Sequence, residues 1–178
     1  MQIWDYSKIN EPSPYGDSIV YELGMKFLDS YCHTIEDWGC GTTYAKRFVY
    51  FAKYIGIDGS PSKWVDKIKD LSLYKSSVDG IFMRGVLEHN HNWQVILHNA
   101  LLSFQKRMVF VIFTPILEGV EDETTILQTN AHGTPDISFH AKDLEVIINS
   151  CKSIKKWEYN DLKTETQYGC ERIYYLEK

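Results

Sequence analysis

The segment Ile35-Glu36-Asp37-Trp38-Gly39-Cys40-Gly41 constrains this chain more than any other, because a short run with apolar character ends in two glycines one residue apart. It reads as a strand closing in a tight turn of the kind glycine permits. Ala45, Phe48, Val49 and Ala52 then follow helical spacing, which predicts a helix from Thr42 to about Phe51. A second strand at 54–58 ends in Asp58-Gly59-Ser60, with Asp58 21 residues after Asp37. Strand, glycine turn, helix and acid-tipped strand form the opening unit of a doubly wound sheet.

That unit points to a ligand class. Glycines let backbone approach a ligand closely, and an acidic side chain at the tip of the next strand accepts hydrogen bonds from both hydroxyls of a ribose. A nucleoside-bearing cofactor is expected. The third glycine of G-x-G-x-x-G, which lets the helix pack close behind a pyrophosphate, is here the bulky Tyr44. This disfavours a dinucleotide and suits a cofactor without phosphate, such as S-adenosylmethionine.

The remaining pattern extends the sheet. Residues 1–16, with Pro12, Pro14 and Gly16, read as an irregular arm, and Asp17 or Ser18 caps a helix through about Tyr31. The first strand is expected at about 33–38. Residues 61–70 read either as a helical turn from Pro61 or as a short third strand ending near Asp70. A buried strand is expected at 78–83. Asn92 is expected to cap a helix carrying Trp93, Ile96, Leu97, Ala100, Leu101 and Phe104 on its apolar face. The run at 108–113 is apolar throughout, as in parallel strands buried on both faces. Residues 116–138 are polar and too long for a simple connection, hence functional by expectation. A helix at about 140–151 precedes two strands near 153–160 and 170–177, joined as a hairpin. The predicted fold is α/β: a Rossmann-like, doubly wound, mostly parallel sheet with helices on both faces and an antiparallel C-terminal strand.

The 178 residues suit a single domain over 1–178, with an N-terminal arm and helix at 1–32 and the core at 33–178. A net charge of −5 argues against strong binding to a nucleic-acid backbone. The four cysteines show no C-x-x-C pairing, so neither a zinc site nor a disulfide framework is implied. The N-terminus lacks a basic region followed by an apolar run, and no span approaches the length needed to cross a membrane. A cytoplasmic protein without membrane association is expected.

Several motifs together resemble the class I S-adenosylmethionine-dependent methyltransferases, over roughly residues 33–177. Asp37-Trp38-Gly39-Cys40-Gly41 resembles the family's D-x-G-x-G, whose backbone packs against the methionine part of the cofactor. Asp58 matches the ribose-binding acid, and Asp70-Leu71 resembles the acidic-hydrophobic pair beside the adenine. Val86-Leu87-Glu88-His89 resembles the segment after the fourth strand in many small-molecule and glycan methyltransferases. Thr43 stands where many members carry a further glycine. The resemblance implies cofactor contacts from Asp37, Gly39, Cys40, Gly41, Asp58, Gly59, Ser60, Asp70, Leu71 and Arg84.

The expected reaction is methyl transfer to an oxygen or nitrogen of a small molecule or sugar. Such transfer needs in-line positioning and, for a hydroxyl acceptor, removal of a proton. His89 is the candidate base, with a pKa near neutrality unless its surroundings shift it. The competing role is a cap on the loop before the next helix. Arg84 reads as a contact to substrate or cofactor, or as a solvated charge. His132, Asp136 and His140, with Glu88 and His89, contain ligand types that would suit a divalent ion, but surface histidines are the simpler reading, and no metal is expected. Trp4, Tyr6 and Tyr15 either close over the ligand or pack the arm onto the core. The rival functions are a nucleic-acid methyltransferase and a non-catalytic scaffold that binds the cofactor.

Overall fold

The computed structural model describes residues 4–129 and 133–178. Helix α1 (Ile19–Asp29) leads into β1 (Thr34–Trp38), a 3-10 turn at Tyr44–Phe48, β2 (Lys53–Asp58) and a two-residue β3 (Lys67–Ile68). Strand β4 (Val78–Arg84) and a 3-10 turn at Leu87–His89 come before α2 (Trp93–Ser103) and β5 (Phe104–Ile112). A hairpin of β6 (Thr125–Thr129) and β7 (Pro135–Ser138) is followed by α3 (Ala141–Ser150), β8 (Lys156–Lys163) and β9 (Cys170–Glu177).

Seven strands form one sheet in the order β3-β2-β1-β4-β5-β9-β8. The first five pair in parallel, while β9 runs antiparallel to both β5 and β8. Strand order reverses between β1 and β4, which opens a crevice at their carboxyl ends, the position where sheets of this kind bind ligands.

The side-chain alternation of each strand divides the core in two. Ile81, Met83, Met108, Phe110 and Tyr174 face α2 and α3, while Phe82, Val109, Val111 and Ile173 face α1. Both sets are buried, which explains the consecutive apolar residues at 81–83 in β4 and 108–112 in β5. On the α1 side, a Cβ added to Gly24 would lie 2.6 Å from the Phe82 ring, so glycine lets this helix sit close against the sheet.

Four expectations are corrected. The helix over 42–51 is only a five-residue 3-10 turn at Tyr44–Phe48. Thr43 before it is left-handed at φ 60°, and Val49 after it is extended. The buried Asp29 carboxylate then accepts from the backbone N–H groups of Tyr50, Phe51 and Ala52, which holds that stretch out of a helix. Residues 116–138 are not a plain loop, since they contain β6 and β7. Asn92 stands at the start of α2 without a capping side-chain bond. Phe104 opens β5 rather than extending that helix. The alternatives at 61–70 resolve to a short edge strand, and Asp17, rather than Ser18, supplies the side-chain acceptor at the start of α1.

Candidate functional site

A cavity of about 750 Å³ opens at the carboxyl ends of β1, β2 and β4. Its floor is the glycine turn. Gly39 and Cys40 both donate to the Ile57 carbonyl, at 2.7 and 3.1 Å, which ties the turn to β2. Gly39 has φ +76°, and a Cβ there would run into Val86, so only glycine suits the position. Thr43 takes its left-handed conformation with a β-branched side chain, an unusual combination.

Asp58 closes the turn from the other side. Its Oδ2 accepts from Gly41 N–H at 3.0 Å and its Oδ1 from Ser60 N–H at 2.8 Å. Burial raises its pKa, while these donors oppose the shift. Asp37 is buried at the end of β1 and accepts from the Tyr54 hydroxyl. Desolvation pushes its carboxyl up to about 7, against the Tyr54 hydrogen bond and with the Asp58 charge adding to the rise.

Most of the expected ligand residues line this one cavity: Asp37, Gly39, Cys40, Gly41, Asp58 and Gly59 at the turn, Asp70 and Leu71 beyond β3, Arg84 at the end of β4 and His89 after it. The Asp70 carboxyl is lowered by hydrogen bonds from Ser72, whose hydroxyl donates at 2.7 Å. Ser60 has a different place: it is buried, and its hydroxyl accepts from Trp4 N–H at 2.7 Å, fastening the N-terminal arm. Arg84 is not a solvated charge. Its Nη2 donates to the Glu171 carboxylate at 2.6 Å and to the Tyr15 carbonyl at 2.9 Å. The arm therefore roofs the cavity, with Trp4, Tyr6 and Tyr15 among its lining residues. The Tyr6 phenol is raised by burial and by the nearby Asp58 carboxylate.

His89 stands on the wall between the 3-10 turn after β4 and the start of β7. Its Nδ1 lies 3.0 Å from the Pro135 carbonyl and 3.3 Å from Asp136 Oδ1. Trp4 meets the ring edge-on at a centroid distance of 5.5 Å, and Phe113 lies tilted at 5.3 Å. Burial lowers the imidazole pKa from its ordinary value, opposed by Pro135 and Asp136. Adjacent Glu88 is buried, accepts from Phe113 N–H at 2.7 Å and does not line the cavity.

Of the other possible metal ligands, only Asp136 joins His89 here. His140 caps α3 by accepting from Lys142 N–H and pairs its Nε2 with the Gly119 carbonyl. His132 lies outside the described residues. No cluster of three or more metal-ligating side chains forms among the described residues. No described helix is long and apolar enough to cross a membrane. Sequence reasoning placed Asp136 with His89 only as a possible metal ligand, and it missed Tyr168, which donates to Asp136. No local motif marks Tyr168, because the β8–β9 connection brings it in from far along the chain.

No family profile and no curated protein matches the sequence. Solved structures do match. The Burkholderia thailandensis 1,6-didemethyltoxoflavin-N1-methyltransferase, bound to 1,6-didemethyltoxoflavin and S-adenosylhomocysteine, has a TM-score of 0.68 and 14% identity, over 91% of this chain and 79% of that one. N-methyltransferase NodS from Bradyrhizobium japonicum WM9, in complex with S-adenosylhomocysteine, gives 0.61 and 10%, over 97% and 91%. Magnesium protoporphyrin IX methyltransferase from Synechocystis PCC 6803, also with S-adenosylhomocysteine, gives 0.59 and 16%, over 91% and 81%. The fold is that of class I methyltransferases, as the sequence motifs implied.

Proposed function

We propose that this chain is an S-adenosylmethionine-dependent methyltransferase acting on an oxygen or nitrogen of a small molecule or sugar, with a hydroxyl favoured. One observation carries the reading: the glycine turn, Asp58 and His89 all line the same cavity. The residues fit the cofactor. Asp58 stands at the tip of β2 in the cavity wall, the place from which an acidic side chain accepts from ribose hydroxyls. Asp58 and Asp70 line the cavity, and carboxylates there suit a cationic sulfonium. Bound there, the cofactor supplies an electrophilic methyl group. The protein's own contribution is to orient the acceptor, exclude water beneath the arm and accept a proton at His89.

Adenosylhomocysteine is expected to bind with micromolar affinity and to raise the melting temperature, because a ligand that binds only the native state stabilises it by mass action. NAD at equal concentration should leave the melting temperature unchanged, given Tyr44 behind the turn. A shift with NAD alone would overturn the reading. Labelled cofactor incubated with fractionated sugars, nucleotides, RNA and protein then identifies the acceptor class.

A further inference from the structure

His89 meets two oxygens on one ring nitrogen. The Pro135 carbonyl can only accept, and so can an ionised Asp136 carboxylate, so Nδ1 has to donate. A neutral imidazole carries one ring proton. Placed on Nδ1, it leaves a lone pair on Nε2. No described residue is hydrogen-bonded to Nε2, and His89 lines the cavity. We propose that Asp136 is a positioning residue that, with the Pro135 carbonyl, fixes His89 as the Nδ1–H tautomer so that Nε2 accepts the proton of a hydroxyl acceptor.

The inference rests on the methyltransferase reading, and the surroundings of Asp136 support it. Asp136 is buried, and its second oxygen accepts from Gln128 Nε2 at 2.7 Å and from the Tyr168 hydroxyl at 2.9 Å. Three different segments therefore hold the carboxylate: β7 itself, β6 through Gln128, and the β8–β9 connection through Tyr168. Trp4 and Phe113 limit the tilt of the imidazole. The charged groups acting on the ring are Asp136 from β7, which favours the imidazolium, and Arg84 from β4, which opposes it. In the proton step the acceptor O–H bond breaks, its proton forms a bond with Nε2, and the electron pair stays on the acceptor oxygen. The imidazolium so formed has Asp136 beside Nδ1 to stabilise it, the role an orienting carboxylate plays toward a catalytic histidine.

Long-range proton–nitrogen correlation on labelled full-length protein, free and saturated with adenosylhomocysteine, reads the tautomer and the titration of His89 without any acceptor. The wild type should show the Nδ1–H form. Asp136→Asn should mix the tautomers and move the titration to lower pH. Tyr168→Phe removes a donor from Asp136 and should move it the opposite way, which provides a test if the first variant does not fold. An Nε2–H tautomer in the wild type, or one titration shared by all the proteins that fold, overturns the proposal. Once a hydroxyl acceptor is known, Asp136→Asn should lower kcat at least tenfold, with adenosylhomocysteine affinity within twofold. Absence of adenosylhomocysteine binding is a separate failure. It would remove the methyltransferase reading and leave the tautomer result standing.

Discussion

Asp58 has two jobs at one carboxylate: it holds the glycine turn to β2, and it lines the cavity. Asp58→Ala should weaken adenosylhomocysteine binding by about 1.5–3 kcal/mol, the range for hydrogen bonds to charged groups. Calorimetry checks this, and unchanged affinity would mean that β2 does not end at the ribose. His89 predicts a different profile. With a hydroxyl acceptor, His89→Ala should lower kcat by about 10²–10⁴-fold while cofactor affinity changes little. Because burial lowers the imidazole pKa, the wild-type rate should rise with pH and level off before the ordinary imidazole range, about 6.5, is passed. A loss under tenfold would favour an amine acceptor that reaches the site already neutral. Arg84 is bound into the structure through Glu171 and Tyr15, so its loss should disturb the arm before it disturbs chemistry.

At the scale of elements, the link between α1 and β2 depends on one buried side chain. Asp29 ends α1 and accepts from three consecutive backbone N–H groups, those of Tyr50, Phe51 and Ala52. Asp29→Ala would leave those donors without their acceptor and should cost about 1.5–3 kcal/mol in denaturant unfolding, with Asp29→Asn milder. A loss below about 0.5 kcal/mol, the usual size for a surface change, would show that water replaces the carboxylate. This contact also explains what could be read in the sequence. The strand β5 was legible because burial on both faces leaves a continuous apolar run at 108–112, and β4 because Ile81, Phe82 and Met83 are buried together. The glycine turn and Asp58 were legible because the chemistry is local: neighbours in sequence are neighbours in the site. The 42–51 helix was misread because Ala45, Phe48, Val49 and Ala52 suit helical spacing, while a carboxylate distant in sequence decides their conformation. Asp136 was grouped with His89 only through its ligand type, and their direct contact could not be read for the same reason. It exists only once the β6–β7 hairpin folds back over the cavity.

Across the whole molecule, two buried carboxyls set how stability responds to pH. Asp37 rises from 3.8 to about 7 and Glu88 from 4.5 to about 7, burial being the largest cause in each case. Glu88 Oε2 has no hydrogen-bond partner among the described residues, so its uncharged form suits the site better. Between the unfolded and folded values the unfolded chain has released these protons and the native protein keeps them. The unfolded state then binds fewer protons, and stability falls as pH rises from about 4 to 7, by up to about 1.4 kcal/mol per pH unit for each carboxyl. Above that range both states are ionised and the slope from these groups disappears. His89 acts with the opposite sign. Its folded pKa is lowered, so its contribution is present above the unfolded value and is lost as pH falls through the folded one. Glu36, Asp70 and Asp79 are lowered as well, and their stabilisation is lost only in stronger acid. Asp58 and Glu171, also raised by burial, add to the same fall, so the carboxyls prevail over one imidazole and the unliganded protein should be more stable near pH 5.5 than near pH 8. Glu88→Gln, which cannot ionise, should flatten that fall by roughly one proton's worth. Urea unfolding of both proteins at four pH values measures it. Parallel curves for wild type and Glu88→Gln would show that Glu88 is already ionised in the native protein at pH 6 and that something other than this carboxyl governs its stability.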